Sequence, residues 1–293
     1  MRPRAALRIA ASLAVLAHAI GARAVTLVGV SFEDGLVYRV DPATGTASSA
    51  HAVDFAHPCP AGTCVSTLNR FAGLEIAPDG TMLHAPVEAA IEFGSSLVAL
   101  ADAAAVHADS VAPLSEQVGE GDLALDPLTG DLYALGLTNL VAPFTLLRIE
   151  PGANGWEDPT TTVVGEIGSS DVSALAFDAL GDLYAIDTGN DALLRLDPTD
   201  AATLSTVALS APLGALAGMD FDPATGTLWV ADGGSGGASA LFTLDPATGA
   251  LTKVGPLGLA SGLSGLAVPE PGAGALGAIA VIALATQARR ALS

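Results

Sequence analysis

The sequence predicts an all-β chain, a β-propeller of five four-stranded blades, and three observations carry that expectation. Two short apolar phrases alternate along residues 25–268. Each phrase returns at intervals of 45 to 61 residues. The two ends of this body hold complementary pieces of a single blade. A period of that size belongs to a repeat architecture, and four short strands per repeat without a helical stretch make a blade.

The first phrase is a strand, a tight turn and a second strand. It runs from Leu74 to Ala85, Leu123 to Ala134, Leu175 to Ala185 and Met219 to Ala231. Its turn glycines Gly80, Gly130, Gly181 and Gly226 lie 50, 51 and 45 residues apart. The second phrase is a strand that ends in an acid, usually followed by proline. Its acids are Asp41, Asp102, Glu150, Asp197 and Asp245, at intervals of 61, 48, 47 and 48. The clearest copies end in Asp-Pro-Ala-Thr-Gly, at Asp41–Gly45 and Asp245–Gly249. Proline presets φ, the Asp and Thr oxygens reach nearby amides, and glycine takes the left-handed position. These aspartates therefore read as turn residues rather than metal ligands.

Closure follows from the ends. Val25–Val30 matches a second strand, whereas Leu266–Val268 matches a first strand such as Leu175–Phe177. Pairing the two completes the first blade and leaves no open end to the ring. A sixth blade would require extra strands within the long Asp41–Asp102 interval. A β-sandwich explains neither the period nor the shared phrases.

One blade carries a family likeness. Ser173–Pro198, with Leu175, Phe177, Gly181, Leu183-Tyr184-Ala185, Asp187-Thr188-Gly189-Asn190 and Leu194, resembles an NHL-type propeller repeat. The resemblance implies the architecture and nothing about activity.

Charge narrows the function. The chain has 293 residues, with 11 Lys+Arg against 31 Asp+Glu and a formal net charge of −20. Arg2, Arg4, Arg8, Arg23, Arg289 and Arg290 stand at the termini, so the middle is more acidic still. Such a surface repels phosphate backbones and anionic lipid, which excludes nucleic-acid binding.

Both termini read as addresses. Arg2, Arg4 and Arg8 precede an apolar run over Ile9–Ile20, and Ala22 and Ala24 supply the small residues of a cleavage site before Val25. Residues 1–24 are expected to be a secretory signal peptide. At the other end, Pro269-Glu270-Pro271 precedes an uncharged stretch over 272–288 and then Arg289-Arg290. That stretch is just long enough to cross a hydrocarbon core, with the arginines on the cytoplasmic side. Residues 269–293 closely resemble the PEP-CTERM sorting signal of Gram-negative bacteria. The resemblance implies recognition of Pro269, Glu270 and Pro271 by an exosortase, a membrane-embedded transpeptidase. It also implies transient anchoring in the inner membrane, tail processing, and delivery to the cell surface or extracellular matrix. Gly272–Gly277 fits G-x-G-x-x-G literally but lacks the strand–helix context of a dinucleotide site.

Candidate chemistry is sparse. Cys59 and Cys64 flank a short loop, and in an exported protein such a pair reads as a disulfide. His51, His57, His84 and His107 show no zinc spacing. Asp187, Asn190 and Asp191 share one turn, and Asp232 opens another, without an EF-hand pattern. Ser235 lies in Gly-Gly-Ser-Gly-Gly, a glycine loop rather than a nucleophile elbow. Trp229 aligns with Tyr133 and Tyr184 and reads as packing, whereas Trp156 reads as a loop residue available for contact. No catalytic residue, metal ligand or cofactor emerges. The expectation is an exported, non-catalytic binding or structural propeller, with extracellular polysaccharide or a surface protein as partner. The alternative is a metal-dependent, lactonase-like hydrolase, which requires acidic side chains converging at the channel mouth.

Overall fold

A computed structural model describes residues 26–59, 62–67, 71–86, 96–138, 141–233 and 239–269. The signal segment, its Ala22 and Ala24, and the tail from Glu270 onward, with Arg289 and Arg290, lie outside the described residues. So does Ser235.

The chain folds as five blades with one inserted hairpin. The first blade receives β1 (Leu27–Val30), β2 (Val37–Val40) and β3 (Ala47–His51). The hairpin β4 (Asp54–Cys59) and β5 (Gly62–Thr67) follows as a separate two-stranded sheet. The second blade is β6 (Phe71–Ile76), β7 (Met82–Pro86), β8 (Ser96–Leu100) and β9 (Ser110–Pro113). The third is β10 (Val118–Leu125), β11 (Leu132–Thr138), β12 (Val141–Gly152) and β13 (Gly155–Glu166). The fourth is β14 (Val172–Phe177), β15 (Leu183–Asp187), β16 (Ala192–Leu196) and β17 (Thr203–Ala208). The fifth is β18 (Ala217–Phe221), β19 (Leu228–Asp232), β20 (Ala240–Asp245) and β21 (Ala250–Pro256). Last comes β22 (Gly265–Ala267), which pairs antiparallel with β1, Val28 opposite Ala267. The first sheet thus runs β22-β1-β2-β3 and holds both ends of the body. The long Asp41–Asp102 interval contains the β4–β5 hairpin, so the blade count stays at five.

The core lies between blades. Five apolar clusters fill the five interfaces, one for each successive pair of sheets. Leu123, Leu132 and Leu147 of the third blade, for example, pack on Leu83 and Leu97 of the second. Strands near the axis are therefore buried on both faces, as in β14, while outer strands such as β17 are largely exposed. Every blade repeats the same alternation because every blade meets two neighbours.

The turn aspartates do what their chemistry requires. Asp41 accepts the Ala43 N–H at 2.9 Å and the Thr44 hydroxyl at 3.0 Å. Asp245 accepts Ala247 N–H and the Thr248 hydroxyl in the same way, and Asp126 and Asp222 repeat the motif between first and second strands. Asp102 and Asp197 likewise hold an amide two residues on. Glu150 departs from the series. It lies within the long β12–β13 hairpin opposite Thr160 and faces Arg148 at 3.3 Å.

Glycine at the end of the motif has two distinct jobs. Gly226 and Gly249 share φ near +71° and +72°. Around Gly226 there is open space, whereas a Cβ on Gly249 would overlap the Ala208 carbonyl oxygen of the neighbouring blade. Gly226→Ala should cost about 1 kcal/mol, the left-handed penalty alone. Gly249→Ala adds a backbone overlap and should cost on the order of 3 kcal/mol or more. Denaturant unfolding of the two variants checks the difference; equal losses would contradict the interblade contact.

Candidate axial binding site

An innermost strand presents an edge of backbone N–H groups that no neighbouring strand can pair. In this ring, three carboxylates from the innermost strands take up eight of them. Asp122 Oδ1 accepts the N–H of Leu74 (2.9 Å) and Leu123 (3.0 Å), and its Oδ2 accepts those of Met219 (2.8 Å) and Leu266 (3.0 Å). One side chain thereby ties β6, β10, β18 and β22 together. Two residues further along the strands, Glu75 accepts the N–H of Ile76 (2.7 Å) and Leu125 (2.9 Å). Asp220 accepts those of Phe221 (2.7 Å) and Val268 (2.6 Å).

The registers of the five blades align Gly73, Asp122, Ala174, Gly218 and Gly265 at one level of the inner strands. Four small residues surround one aspartate for a steric reason. A Cβ on Gly73 would lie 2.6 Å from the Leu123 nitrogen, and one on Gly218 would meet Gly265 and Leu266 backbone. At Gly73, Gly218 and Gly265 the strands approach too closely for even a methyl group.

Beyond that plug, the axis opens into a cavity of about 210 Å³. All five blades contribute the equivalent apolar residue to its wall: Ile76, Leu125, Phe177, Phe221 and Val268. Glu75 and Asp220 line it too, with their oxygens engaged by the N–H groups above. Burial pushes the Asp122 carboxyl well above the usual carboxylate range, and its four N–H bonds oppose that shift. Asp220 is raised as well, first by burial and then by the charges of Glu75 and Asp122, with the Val268 and Phe221 N–H groups pulling the other way.

The sequence-predicted candidates fall elsewhere. Asp187 receives the N–H and the Nδ2 of Asn190 at 3.0 and 2.9 Å, a closed turn at the end of β15. Asp232 accepts the Gly214 N–H at 2.9 Å. Among the described residues no group of three or more His, Cys, Asp and Glu is placed to hold a metal ion. His84 is fully buried in β7, and burial pushes its imidazole down to about 3, so it stays neutral. His107 sits in an isolated bridge with Asp54. Cys59 stands opposite Gly62 and Cys64 opposite His57 in the β4–β5 ladder. Trp229 packs in an interblade cluster as expected. Trp156 differs from its expectation: it lies in β13 and packs against the cluster between the second and third blades, because the β12–β13 hairpin extends far beyond the other outer turns.

Glu75, Asp122 and Asp220 were not among the sequence-derived candidates. Their signal is a charge inside an innermost strand. Where Ala124, Ala176 and Ala267 stand in three blades, Glu75 and Asp220 stand in the other two.

A family model described as "Repeat of unknown function (DUF6923)" matches residues 122–280. No curated protein matches the chain in sequence. Among solved structures, the chain is similar to a protein of unknown function from Bacteroides caccae, at 12% identity and a TM-score of 0.51. That likeness covers 83% of this chain and 98% of the other. A chain of a nidogen/laminin complex aligns at 13% identity and a TM-score of 0.49, over 84% and 99% of the two chains. A putative 6-phosphogluconolactonase from Bacteroides uniformis aligns at 13% identity and a TM-score of 0.42, over 82% of each. At such identities the likeness concerns the fold alone.

The raised carboxyls set a pH dependence. A group whose folded pKa exceeds its unfolded value keeps its proton longer when folded. From the ordinary value of 3.8 up to the raised one, the folded chain binds more protons, so stability falls as pH rises through that window. Asn at 220 has no proton to lose. As pH rises above the ordinary carboxylate value, unfolding free energy should therefore decline more steeply in wild type than in Asp220→Asn. Parallel curves would show that Asp220 titrates as an ordinary carboxyl.

Proposed function

The chain belongs to the DUF6923 repeat family, and we propose that it is a non-catalytic binding propeller, exported and sorted to the cell surface or extracellular matrix. The observation that carries the binding reading is the composition of the axial cavity. Its acids are committed to backbone N–H groups, and its wall is a ring of apolar side chains drawn from five blades. Such a site holds a ligand by shape and burial and supplies no activated nucleophile or base.

Export and sorting rest on the sequence. Residues 1–24 carry the order of a signal peptide, and 269–293 carry motif, apolar stretch and Arg289-Arg290 in the order of a PEP-CTERM tail. Pro269 follows the closing strand β22 by two residues. The proposed sorting motif therefore starts just after the closing strand, and proline at both its ends disfavours a helix there. The partners in this reading are the secretion machinery, an exosortase, the inner membrane through the tail, and a polysaccharide or protein at the surface. In that oxidising compartment Cys59 and Cys64 would be joined as a disulfide.

One fractionation experiment tests both halves in a host that has the exosortase. Glu270→Ala, and Arg289 and Arg290 to neutral residues, should leave full-size protein in the membrane. Ala179 is exposed at the cavity rim, so Ala179→Trp should fill the mouth without affecting processing. That variant should be processed normally and then lost to the medium instead of being retained. Normal processing of the tail variants contradicts sorting; normal retention of Ala179→Trp contradicts binding at the mouth.

A further inference from the structure

Two turn tips beside the axial mouth carry the two most exposed large apolar side chains among the described residues. Leu128 is 69% exposed and Leu180 79% exposed. They belong to adjacent blades, at the same turn between first and second strands, and they are neighbours. A Cβ built on Gly181 would lie 2.6 Å from Leu128 Cδ1, so Leu128 already rests on the turn that carries Leu180. Two large apolar side chains exposed side by side make a candidate contact surface.

The patch continues into a groove of about 300 Å³ between the fourth and fifth blades. Ala179, Leu180, Phe221, Pro223 and Pro246 supply its apolar wall. Ala179, Phe221 and Pro223 also line the axial cavity, so groove and cavity share a border. Its edges are acidic. Asp178 and Asp222 line the groove, and Asp245 is exposed beside Pro246. The arginines nearest these turns are already engaged, Arg195 with Asp182 at 2.6 Å and Arg148 with Asp131 and Glu150 at 4.0 and 3.3 Å. In a chain of net charge −20, this face attracts cations and rejects anionic lipid and acidic polysaccharide.

We propose that the groove docks an extended basic segment of a partner protein, with an aliphatic side chain against Leu128 and Leu180. Flanking lysines or arginines face Asp178, Asp222 and Asp245. The inference deepens the binding reading by naming the partner's chemistry, and it is independent of export and of tail processing.

The test uses the full-length chain in neutral detergent and a fluorescent peptide, Lys-Lys-Leu-Leu-Lys-Lys, followed by anisotropy. Binding is expected, and it should weaken about tenfold or more on going from low salt to about 0.5 M salt. Leu128→Ser/Leu180→Ser should weaken it at least about fivefold, the scale of losing two partly buried aliphatic contacts. Unchanged thermal unfolding of that double variant shows that the loss is local. Peptides with Glu for Lys, or Ser for Leu, should not bind. Absence of binding to wild type overturns the proposal. So does equal binding by the double variant or by the Ser peptide, since both place the contact elsewhere. If wild type self-associates in sedimentation and the double variant does not, a second copy is the occupant and the basic partner is wrong. Retention of the double variant at the surface would sink the Leu128–Leu180 contact while leaving the binding reading intact.

Discussion

Eight backbone N–H groups on the inner edges of the blades donate to no strand, and three carboxylates accept them. The rest of the architecture depends on that match. An unpaired donor buried away from water costs about 1–3 kcal/mol. A closed ring that places its first strands around an axis must therefore find acceptors there or leave room for water. This chain uses Asp122 for four donors on four strands, and Glu75 and Asp220 for two each. The glycines at the level of Asp122 follow directly, because the strands close in until a Cβ there would meet neighbouring backbone. Burial of carboxyl groups in an already acidic chain is the cost, and it surfaces as their raised affinity for protons.

The same arrangement decides what the axis can do. The acids that might have held a metal or moved a proton are occupied in holding the ring. What remains open is apolar: a mouth lined by one residue from each blade, and beside it a groove carrying Leu128 and Leu180. The closing strand β22 ends at the same face, where Val268 lines the cavity.

Much of the fold was legible because local chemistry repeats. Asp-Pro-Ala-Thr-Gly fixes a turn wherever it occurs, and alternating apolar strands recur because each blade packs between two others. Closure was legible from the split phrase at Val25–Val30 and Leu266–Val268, realised as β1 and β22. The axial acids were not legible, because their partners are backbone groups of strands up to 144 residues away. A backbone N–H has no residue type, so nothing in the sequence marks the other half of those bonds. Trp156 was misplaced for a related reason. The β12–β13 hairpin packs against β9 and β8, a contact that no local pattern encodes.

Native-state hydrogen exchange of the Leu74, Leu123, Met219 and Leu266 amides tests the central claim most directly. If one carboxylate ties the four strands, these amides open together and only with global unfolding. All four should then show the same protection, equal to the unfolding free energy measured by denaturant, and Asp122→Ala should lower all four alike. Four different opening energies, or protection unchanged by Asp122→Ala, would show that the blades hold their inner edges independently of Asp122.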